Sequence, residues 1–232
     1  DGGGRFDEHL IESGLTTPTS IYGIDLDDDF DIDVLCCEFG EDRIVWWEND
    51  GVGNFRLDEI CHDFNGAYAA LPVDLDQDGD FDVAAAAYSS NQIAWFENDG
   101  DQNFNIYIID DDFAAARAVN VIDIDCDGDL DVAAIASDDD MIAWYENDGN
   151  EGFSRNIILE DFDAPRSLCL ADFDEDSDQD IAVVSFLGDR IIWLENDGNM
   201  QFRRRQRPGQ RCIGIPVDQH DVGLGAEQHV LA

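Results

Sequence analysis

The sequence predicts an all-β fold, a β-propeller built of four-stranded blades. Three observations carry this prediction: a repeat of constant length, four strand patterns in each repeat, and an aspartate-rich loop at the same place in every copy. The loops start at Asp25, Asp74, Asp123 and Asp172, so each begins 49 residues after the one before. A period between about 20 and 50 residues is typical of solenoids and propellers, and four strands per repeat are the unit of a propeller blade.

Each complete repeat contains four predicted strands. In the second repeat the first strand is Tyr68–Val73, the second is Val83–Tyr88 after the aspartate loop, and the third is Ile93–Glu97. An Asn-Asp-Gly turn, a strong hairpin signal, then leads to a fourth strand from Phe104. The third strand is apolar on both faces, which predicts a layer packed on each side of the sheet. We interpret the tryptophans that recur in it as blade core rather than as sugar platforms: Trp46, Trp95, Trp144 and Trp193.

The repeats define the expected domain organisation. Residues 1–202 are predicted to be propeller blades, at about 20–60, 68–109, 117–158 and 166–202, with residues 1–12 as the last strand of a preceding blade. Residues 203–232 lack the repeat, and they hold 3 acidic residues and 5 arginines against 52 and 7 in residues 1–202. We interpret this tail either as a degenerate edge blade with a basic cap or as a segment mistranslated after a frameshift. The chain is expected to be an incomplete propeller with its remaining blades in a longer parent chain.

The aspartate loops predict calcium sites. Calcium takes 6–8 oxygen ligands, and alternating carboxylates in a tight loop supply them. In the second loop Asp74, Asp76, Asp78 and Asp82 would be side-chain ligands, and Asp80 would offer its backbone oxygen. An EF-hand would need a glutamate at position 12, where Ala85 stands, so each loop is expected to connect strands. The alternative is a set of aspartate-rich turns that bind nothing.

Up to four calcium ions are expected, one in each loop. The predicted metal-site residues are Asp25, Asp27, Asp29, Asp31, Asp33, Asp74, Asp76, Asp78, Asp80, Asp82, Asp123, Asp125, Asp127, Asp129, Asp131, Asp172, Asp174, Asp176, Asp178 and Asp180. The sixth position of a loop is expected to need a positive φ, which glycine adopts readily. Gly79 and Gly128 meet this need, whereas Phe30 and Ser177 do not, so loops two and three are predicted to bind most tightly and loop one most weakly.

Composition excludes several classes of function. The formal net charge of −43 argues against nucleic-acid binding, which depends on basic patches. No apolar run approaches the 18 or more residues of a membrane span, so no membrane insertion is expected. The histidines share no phase with the repeat and form no catalytic motif: His9, His62, His220 and His229. The six cysteines are interpreted mainly as small buried thiols, with a single disulfide left open.

The motif DxDxDGDxD, followed by an apolar run and WxENDGxxxF, resembles the FG-GAP/VCBS repeats, which are related to the integrin α-subunit propeller. The resemblance extends from residue 1 to about residue 202. It implies a seven-bladed, mostly extracellular propeller with calcium in loops between blade strands. The literal Phe-Gly…Gly-Ala-Pro signature is absent, so the chain is closer to the VCBS-like branch than to integrins proper.

The function expected from these features is that of a calcium-binding, secreted or cell-surface module for binding or adhesion. Its ligand would be a glycan or a protein, and no catalytic site is expected. Two alternatives remain open. The chain could be a structural spacer of a larger surface protein, or it could be the propeller part of a secreted enzyme that acts on polysaccharide.

Overall fold

The computed structural model describes residues 7–205, which form four antiparallel sheets of four strands each. The first two sheets contain β1 (Pro18–Ile24), β2 (Asp33–Glu38), β3 (Arg43–Asn49), β4 (Phe55–Cys61), β5 (Ala67–Val73), β6 (Asp82–Ala87), β7 (Gln92–Asn98) and β8 (Phe104–Asp110). The last two contain β9 (Ala116–Ile122), β10 (Asp131–Ala136), β11 (Met141–Asn147), β12 (Phe153–Leu159), β13 (Pro165–Ala171), β14 (Asp180–Ser185), β15 (Arg190–Asn196) and β16 (Phe202–Arg204). Every sheet follows the chain order, as a propeller blade does.

The pairing register is the same in all four sheets. In the second sheet Ala84 pairs with Trp95 and Trp95 with Tyr107, and the in-phase residues pair in the same way in the first and third sheets. A shift of register near the start of the first strand also recurs in each sheet. The 49-residue repeat of the sequence is therefore a repeat of backbone geometry.

The sheets are arranged as blades of a propeller. Their first strands contact one another in sequence, β1 with β5, β5 with β9, and β9 with β13, so these strands line the inner side. Within residues 7–205 no comparable contact joins β1 to β13, and the four blades form an open arc. The predicted β-propeller class is confirmed.

The core lies between successive blades. Each blade presents one face to the next, as Ala84, Ala86, Ile93 and Trp95 do, and the facing residues on the next blade are small or aromatic. The in-phase tryptophans of the first three blades are almost fully buried. The interpretation as core is confirmed for these three, whereas Trp193 in the fourth blade is half-buried. Small residues at the centre of β6 and β10 permit the close approach of the sheets.

Three linker phenylalanines complete this core, and the sequence analysis did not identify them. Phe64, Phe113 and Phe162 lie just before the first strand of a blade and are fully buried between blades. Their backbone N–H groups donate to the carbonyls of Asp42, Asn91 and Asp140. Their spacing of 49 residues was the signal that could have revealed them.

Both ends of the predicted blade region need correction. Residues 7–12, expected to belong to the last strand of a preceding blade, lie in no strand; residues 8–12 instead line a cavity with β1 and β2. At the other end Arg203 and Arg204, assigned to the tail, belong to β16 and pair with Glu195 and Leu194. Residues 206–232, which carry the rest of the tail prediction, lie outside the described residues, as do residues 1–6.

One 3₁₀ helix, Phe39–Glu41, lies in the described part of the chain. No helix there is long and apolar enough to cross a membrane.

Candidate metal centres

Each aspartate loop brings three carboxylates together at one end of its blade. In the first three loops they belong to the first, third and fifth residues, such as Asp74, Asp76 and Asp78, and one oxygen of each lies within 4.8 Å of the others. The fourth loop groups Asp172 and Asp174 with Asp180, the ninth residue, and leaves Asp176 out of the cluster. The full clusters are Asp25, Asp27 and Asp29; Asp74, Asp76 and Asp78; Asp123, Asp125 and Asp127; and Asp172, Asp174 and Asp180.

Hydrogen bonds within each loop hold the first aspartate in place. In the third loop the Asp123 carboxylate accepts the backbone N–H groups of Asp127 at 3.1 Å and Gly128 at 3.2 Å. The Asp127 carboxylate in turn accepts the N–H of Asp129 at 2.9 Å. The equivalent bonds recur in the other loops, except that in loop two the Asp78 N–H donates to Asp76 instead of Asp74. The chain therefore folds back over the carboxylates of its own loop.

Two positions of every loop adopt a left-handed backbone. The sixth residue has a positive φ in all four copies, as the sequence predicted for the glycines: 76° at Phe30, 109° at Gly79, 104° at Gly128 and 82° at Ser177. The fourth residue also has a positive φ in all four copies, which was not predicted: Asp28, Gln77, Cys126 and Glu175. The sequence carries no signal for this second position, because four different residue types occupy it.

The ninth aspartate is fully buried and binds backbone. Asp82 accepts the N–H of Leu75 at 3.0 Å with one oxygen and the N–H of Asn98 at 2.8 Å with the other. The same pair of bonds occurs at the in-phase residues Asp33, Asp131 and Asp180. This residue thereby ties the start of the loop to the end of the third strand. In loops one to three it is not among the clustered oxygens, although it was predicted as a ligand.

The seventh aspartate has its side chain turned towards the Asn-Asp-Gly hairpin. A Cβ built on Gly100 would lie 2.6 Å from an oxygen of Asp80, and the equivalent glycines approach Asp129 and Asp178 as closely. The hairpin glycine thus leaves space for a carboxylate of the loop. The side chain of the seventh aspartate lies outside the three-carboxylate clusters, and the ligand role of its backbone oxygen stays a prediction.

The carboxylates are in an unfavourable electrostatic environment without a cation. Burial, reinforced by the neighbouring Asp33 and Asp29, raises the pKa of the Asp27 carboxyl to about 6. Burial also raises the pKa of Asp82 to about 6 and that of Asp131 to about 7, although the backbone N–H donors act in the opposite direction. One oxygen of Asp27 and one of Asp74 are buried without a hydrogen-bond partner. Carboxylate oxygens that accept no hydrogen bond and lie among other negative charges are suitable ligands for a hard divalent cation.

A cavity of about 390 Å³ lies between the second and third blades at this same end. Asp76, Trp95, Asn147 and Glu151 are among its lining residues. The buried indole N–H of Trp95 lies near the Asp82 carboxylate and, against the larger effect of burial, lowers its pKa. The cavity therefore offers a polar pocket next to the loops.

The cysteines form no disulfide among the described residues. Cys36 and Cys37 are buried, as predicted, whereas Cys126 and Cys169 are exposed and Cys61 is half-buried.

Comparison with known proteins identifies the repeat. The model of the FG-GAP-like repeat matches three times, at residues 25–85, 74–134 and 123–183. No curated protein matches the sequence.

Several solved structures are similar in fold. One is a lectin from Agrocybe aegerita, described as recognising non-reducing terminal N-acetylglucosamine; it is 18% identical, with a TM-score of 0.56 over 81% of this chain and 51% of the lectin. Another is a thermostable family-43 glycoside hydrolase, 10% identical, with a TM-score of 0.55 over 85% of this chain and 74% of the hydrolase. This chain thus spans about half the length of the lectin. Since the repeat model covers residues 25–183, well over half of the sequence, the chain belongs to the FG-GAP-like repeat family.

Proposed function

We propose that the chain is a calcium-binding, extracellular propeller module that binds a carbohydrate or protein partner and does not catalyse a reaction. The observation that carries the proposal is the recurrence of three clustered carboxylates at the same place in four blades. Like charges at this separation repel one another, and a divalent cation among them turns the repulsion into attraction.

Calcium would be held by the clustered carboxylates of each loop and by the backbone oxygen of its seventh residue. Calcium prefers carboxylate and carbonyl oxygens, and every proposed ligand in these loops is of one of those two types. The left-handed sixth residue supports the proposal because it folds the chain over the cluster. The ninth aspartate uses one lone pair of each oxygen for a backbone N–H, and a lone pair of each remains for an ion. We keep it in the proposed ligand set, which its place in the fourth cluster supports.

A carbohydrate partner is supported by the likeness in fold to a lectin and by the polar cavity between the second and third blades. Weak calcium sites of extracellular modules fill at millimolar calcium, which supports a secreted or cell-surface location. Adhesion, and further blades in a longer parent chain, belong to the same proposal. The likeness to a glycoside hydrolase supports a second candidate, the propeller part of an enzyme that acts on polysaccharide. An activity screen on polysaccharides tests that candidate.

Thermal unfolding with calcium and after removal of calcium tests the metal sites. Each filled site stabilises the fold by about 2.7 kcal/mol at a hundredfold excess over Kd. Since about 1 kcal/mol shifts the Tm of a domain of this size by about 2–4 °C, saturating calcium should raise the Tm by well over 10 °C. Asp78→Asn should lose part of this shift. Asp101→Asn, an exposed carboxylate outside the loops, should keep all of it. Identical melting curves with and without calcium would refute the metal assignment.

A further inference from the structure

Among the described residues, three arginines form no ion pair with a carboxylate. Arg43, Arg56, Arg155, Arg203 and Arg205 each form an ion pair with a carboxylate. Arg117, Arg166 and Arg190 form none within residues 7–205, and each stacks on an aromatic ring instead. In a chain with 55 acidic residues and 12 basic ones, arginines without a carboxylate partner are unexpected.

Arg117 is the most buried of the three, with 9% of its surface exposed. Its guanidinium carbon lies 4.6 Å from the ring centre of Tyr68 and 4.7 Å from that of Tyr88. One terminal nitrogen donates to the Tyr68 hydroxyl at 2.8 Å, and Nε is buried without an acceptor. Stacking satisfies the faces of a guanidinium, but its N–H donors lie along the edge. The Arg117 guanidinium is therefore buried with one N–H unpaired and with no negative charge beside it. Such a charge would offset the free-energy cost of removing the guanidinium from water.

Arg166 occupies the equivalent position on the next blade, 49 residues after Arg117. Tyr68 and Arg117, which are also 49 residues apart, contact each other across neighbouring first strands, and β9 and β13 are neighbours in the same way. Arg166 has no ring at the place where Tyr88 covers Arg117, because Ser137 is the in-phase residue. It stacks on the exposed ring of Phe186 at 4.3 Å, and its Nε also lacks an acceptor.

Tyr68, Tyr88 and Arg117 form one cluster, and Arg166 and Phe186 form the equivalent cluster on the next blade; we call the two together the arginine–aromatic site. The site lies at the end of the blades where their first strands begin. The aspartate loops follow the other ends of these strands, so they lie at the opposite end of the blades. We propose that the arginine–aromatic site binds the carboxylate group of an acidic sugar. A carboxylate matches the planar fork of guanidinium N–H donors, and such charge-assisted bonds are the strong ones.

The aromatic rings favour a sugar acid over an acidic peptide as the occupant. The ring of Phe186 is more than half exposed beside Arg166, so an apolar flat surface adjoins the cationic one. A pyranose has an apolar face and a polar edge, and a uronic acid adds a carboxylate to that edge. The Tyr68 and Tyr88 hydroxyls add donors and acceptors for sugar hydroxyls. This inference extends the proposed binding role to one ligand class, and it is independent of the calcium proposal.

Calorimetric titration of the calcium-loaded chain with tetragalacturonate tests the site, with maltotetraose as the neutral counterpart and tetraglutamate as the acidic peptide. Tetragalacturonate should bind and maltotetraose should bind more weakly. Arg166→Gln and Arg117→Gln should each weaken tetragalacturonate binding by about tenfold or more, the loss typical of a charge-assisted bond. Arg166→Gln keeps the test valid if the buried Arg117→Gln variant fails to fold.

Arg56→Gln is the matched control, because Arg56 is an exposed arginine of an outer strand that pairs with Glu48 and Asp58. It should bind tetragalacturonate as the unchanged chain does. An equal loss in Arg56→Gln, no binding to the unchanged chain, or insensitivity to both site variants would overturn the proposal. Insensitivity to both site variants is also the result expected if the carboxylates of tetragalacturonate bound only to the calcium ions of the loops. Tighter binding of tetraglutamate would assign the site to peptides instead. The calcium melting experiment on the same samples reports separately on the proposed metal sites.

Discussion

At the residue level, the residue type at the sixth position of each aspartate loop determines how easily the backbone adopts the left-handed conformation proposed for ion binding. All four copies hold this residue in the left-handed region, although only Gly79 and Gly128 adopt it without strain. At Phe30 and Ser177 the same conformation costs on the order of 1 kcal/mol or more, with the bulky Phe30 the less suitable of the two. Where the loop relaxes from this conformation in the absence of the ion, binding must restore it, and the cost then reduces the affinity for calcium.

Phe30→Gly is therefore expected to strengthen the calcium site of loop one. A gain of about 1.4 kcal/mol corresponds to about tenfold in affinity. Calorimetric calcium titration should show the weakest class of site becoming tighter. In the reverse experiment Gly79→Ala should weaken loop two, and it reports the backbone effect alone because a Cβ there meets no atom within 4 Å.

The ranking of the sites provides the check on this argument. Asp29→Ala should remove the weakest site, and Asp78→Ala or Asp127→Ala one of the tightest. If Asp29→Ala removed the tightest site instead, the conformation of the sixth residue would not control affinity.

The buried aspartates at the ninth position predict an unusual pH dependence for the calcium-free chain. Burial raises the folded-state pKa of Asp82 to about 6 and of Asp131 to about 7, from the ordinary value of 3.8. The folded state therefore binds more protons than the unfolded state between these values and about pH 4, so stability rises as the pH falls through this range. The contribution is complete below the unfolded pKa and is lost as the pH rises through 6 to 7.

Urea unfolding of calcium-stripped protein at pH 5 and pH 8 measures this effect. The stripped chain should be more stable at pH 5. Saturating calcium should reverse the trend, because protons compete with the ion for the same carboxylates. A stripped chain that loses stability between pH 8 and pH 5 would show that these carboxylates are ionised in the folded state.

At the level of elements, the aspartate loop and the Asn-Asp-Gly hairpin form one unit. Asn98 donates its side-chain amide to the carbonyl of Phe81 and accepts the N–H of Gly100, and its backbone N–H binds Asp82. Gly100 in turn leaves space for the carboxylate of Asp80. The two motifs lie 16 or more residues apart in the sequence, yet each fixes the geometry of the other.

Gly100→Ala should consequently destabilise the fold and weaken the calcium site of loop two. Its φ of 81° is strained for alanine, and the new Cβ would displace Asp80, whose backbone oxygen is a proposed ligand. Gly53→Ala is the matched control, since Gly53 also has a positive φ, 94°, but a Cβ there meets nothing within 4 Å. Denaturant unfolding and calcium titration should show a loss of about 1 kcal/mol in the control and a larger loss, with weaker binding, in Gly100→Ala. Equal losses would mean that the hairpin does not position the loop.

The elements that the sequence predicted are those whose signal lies within a few residues. The strands follow from alternation and the loops from their aspartates, and both agree with the structure. The buried linker residue Phe113 and the left-handed Gln77 were missed, because burial between blades and backbone conformation depend on contacts with distant residues. The aspartate pattern also could not distinguish Asp82, which binds backbone, from Asp78, which lies in the cluster.

At the level of the whole molecule, the open arc formed by residues 7–205 leaves one blade face without a partner among those residues. Ile191 is 77% exposed, whereas its in-phase counterparts Ile44, Ile93 and Ile142 are completely buried against the following blade. Leu187, near it on the same blade, is also more than half exposed. Such a face has the shape and chemistry of an interface between blades.

We expect the isolated chain to self-associate through this face. Ile191→Glu should shift the chain towards monomer in light scattering at fixed concentration, because a carboxylate cannot be buried there without a partner. Ile108→Glu is the control: Ile108 is 45% exposed on the outer strand of an inner blade, where no such interface forms. The measurement needs moderate salt, since a net charge of −43 per chain opposes association until it is screened. A compact, monodisperse monomer for the unchanged chain would contradict the prediction and would show that this face is covered within a single chain.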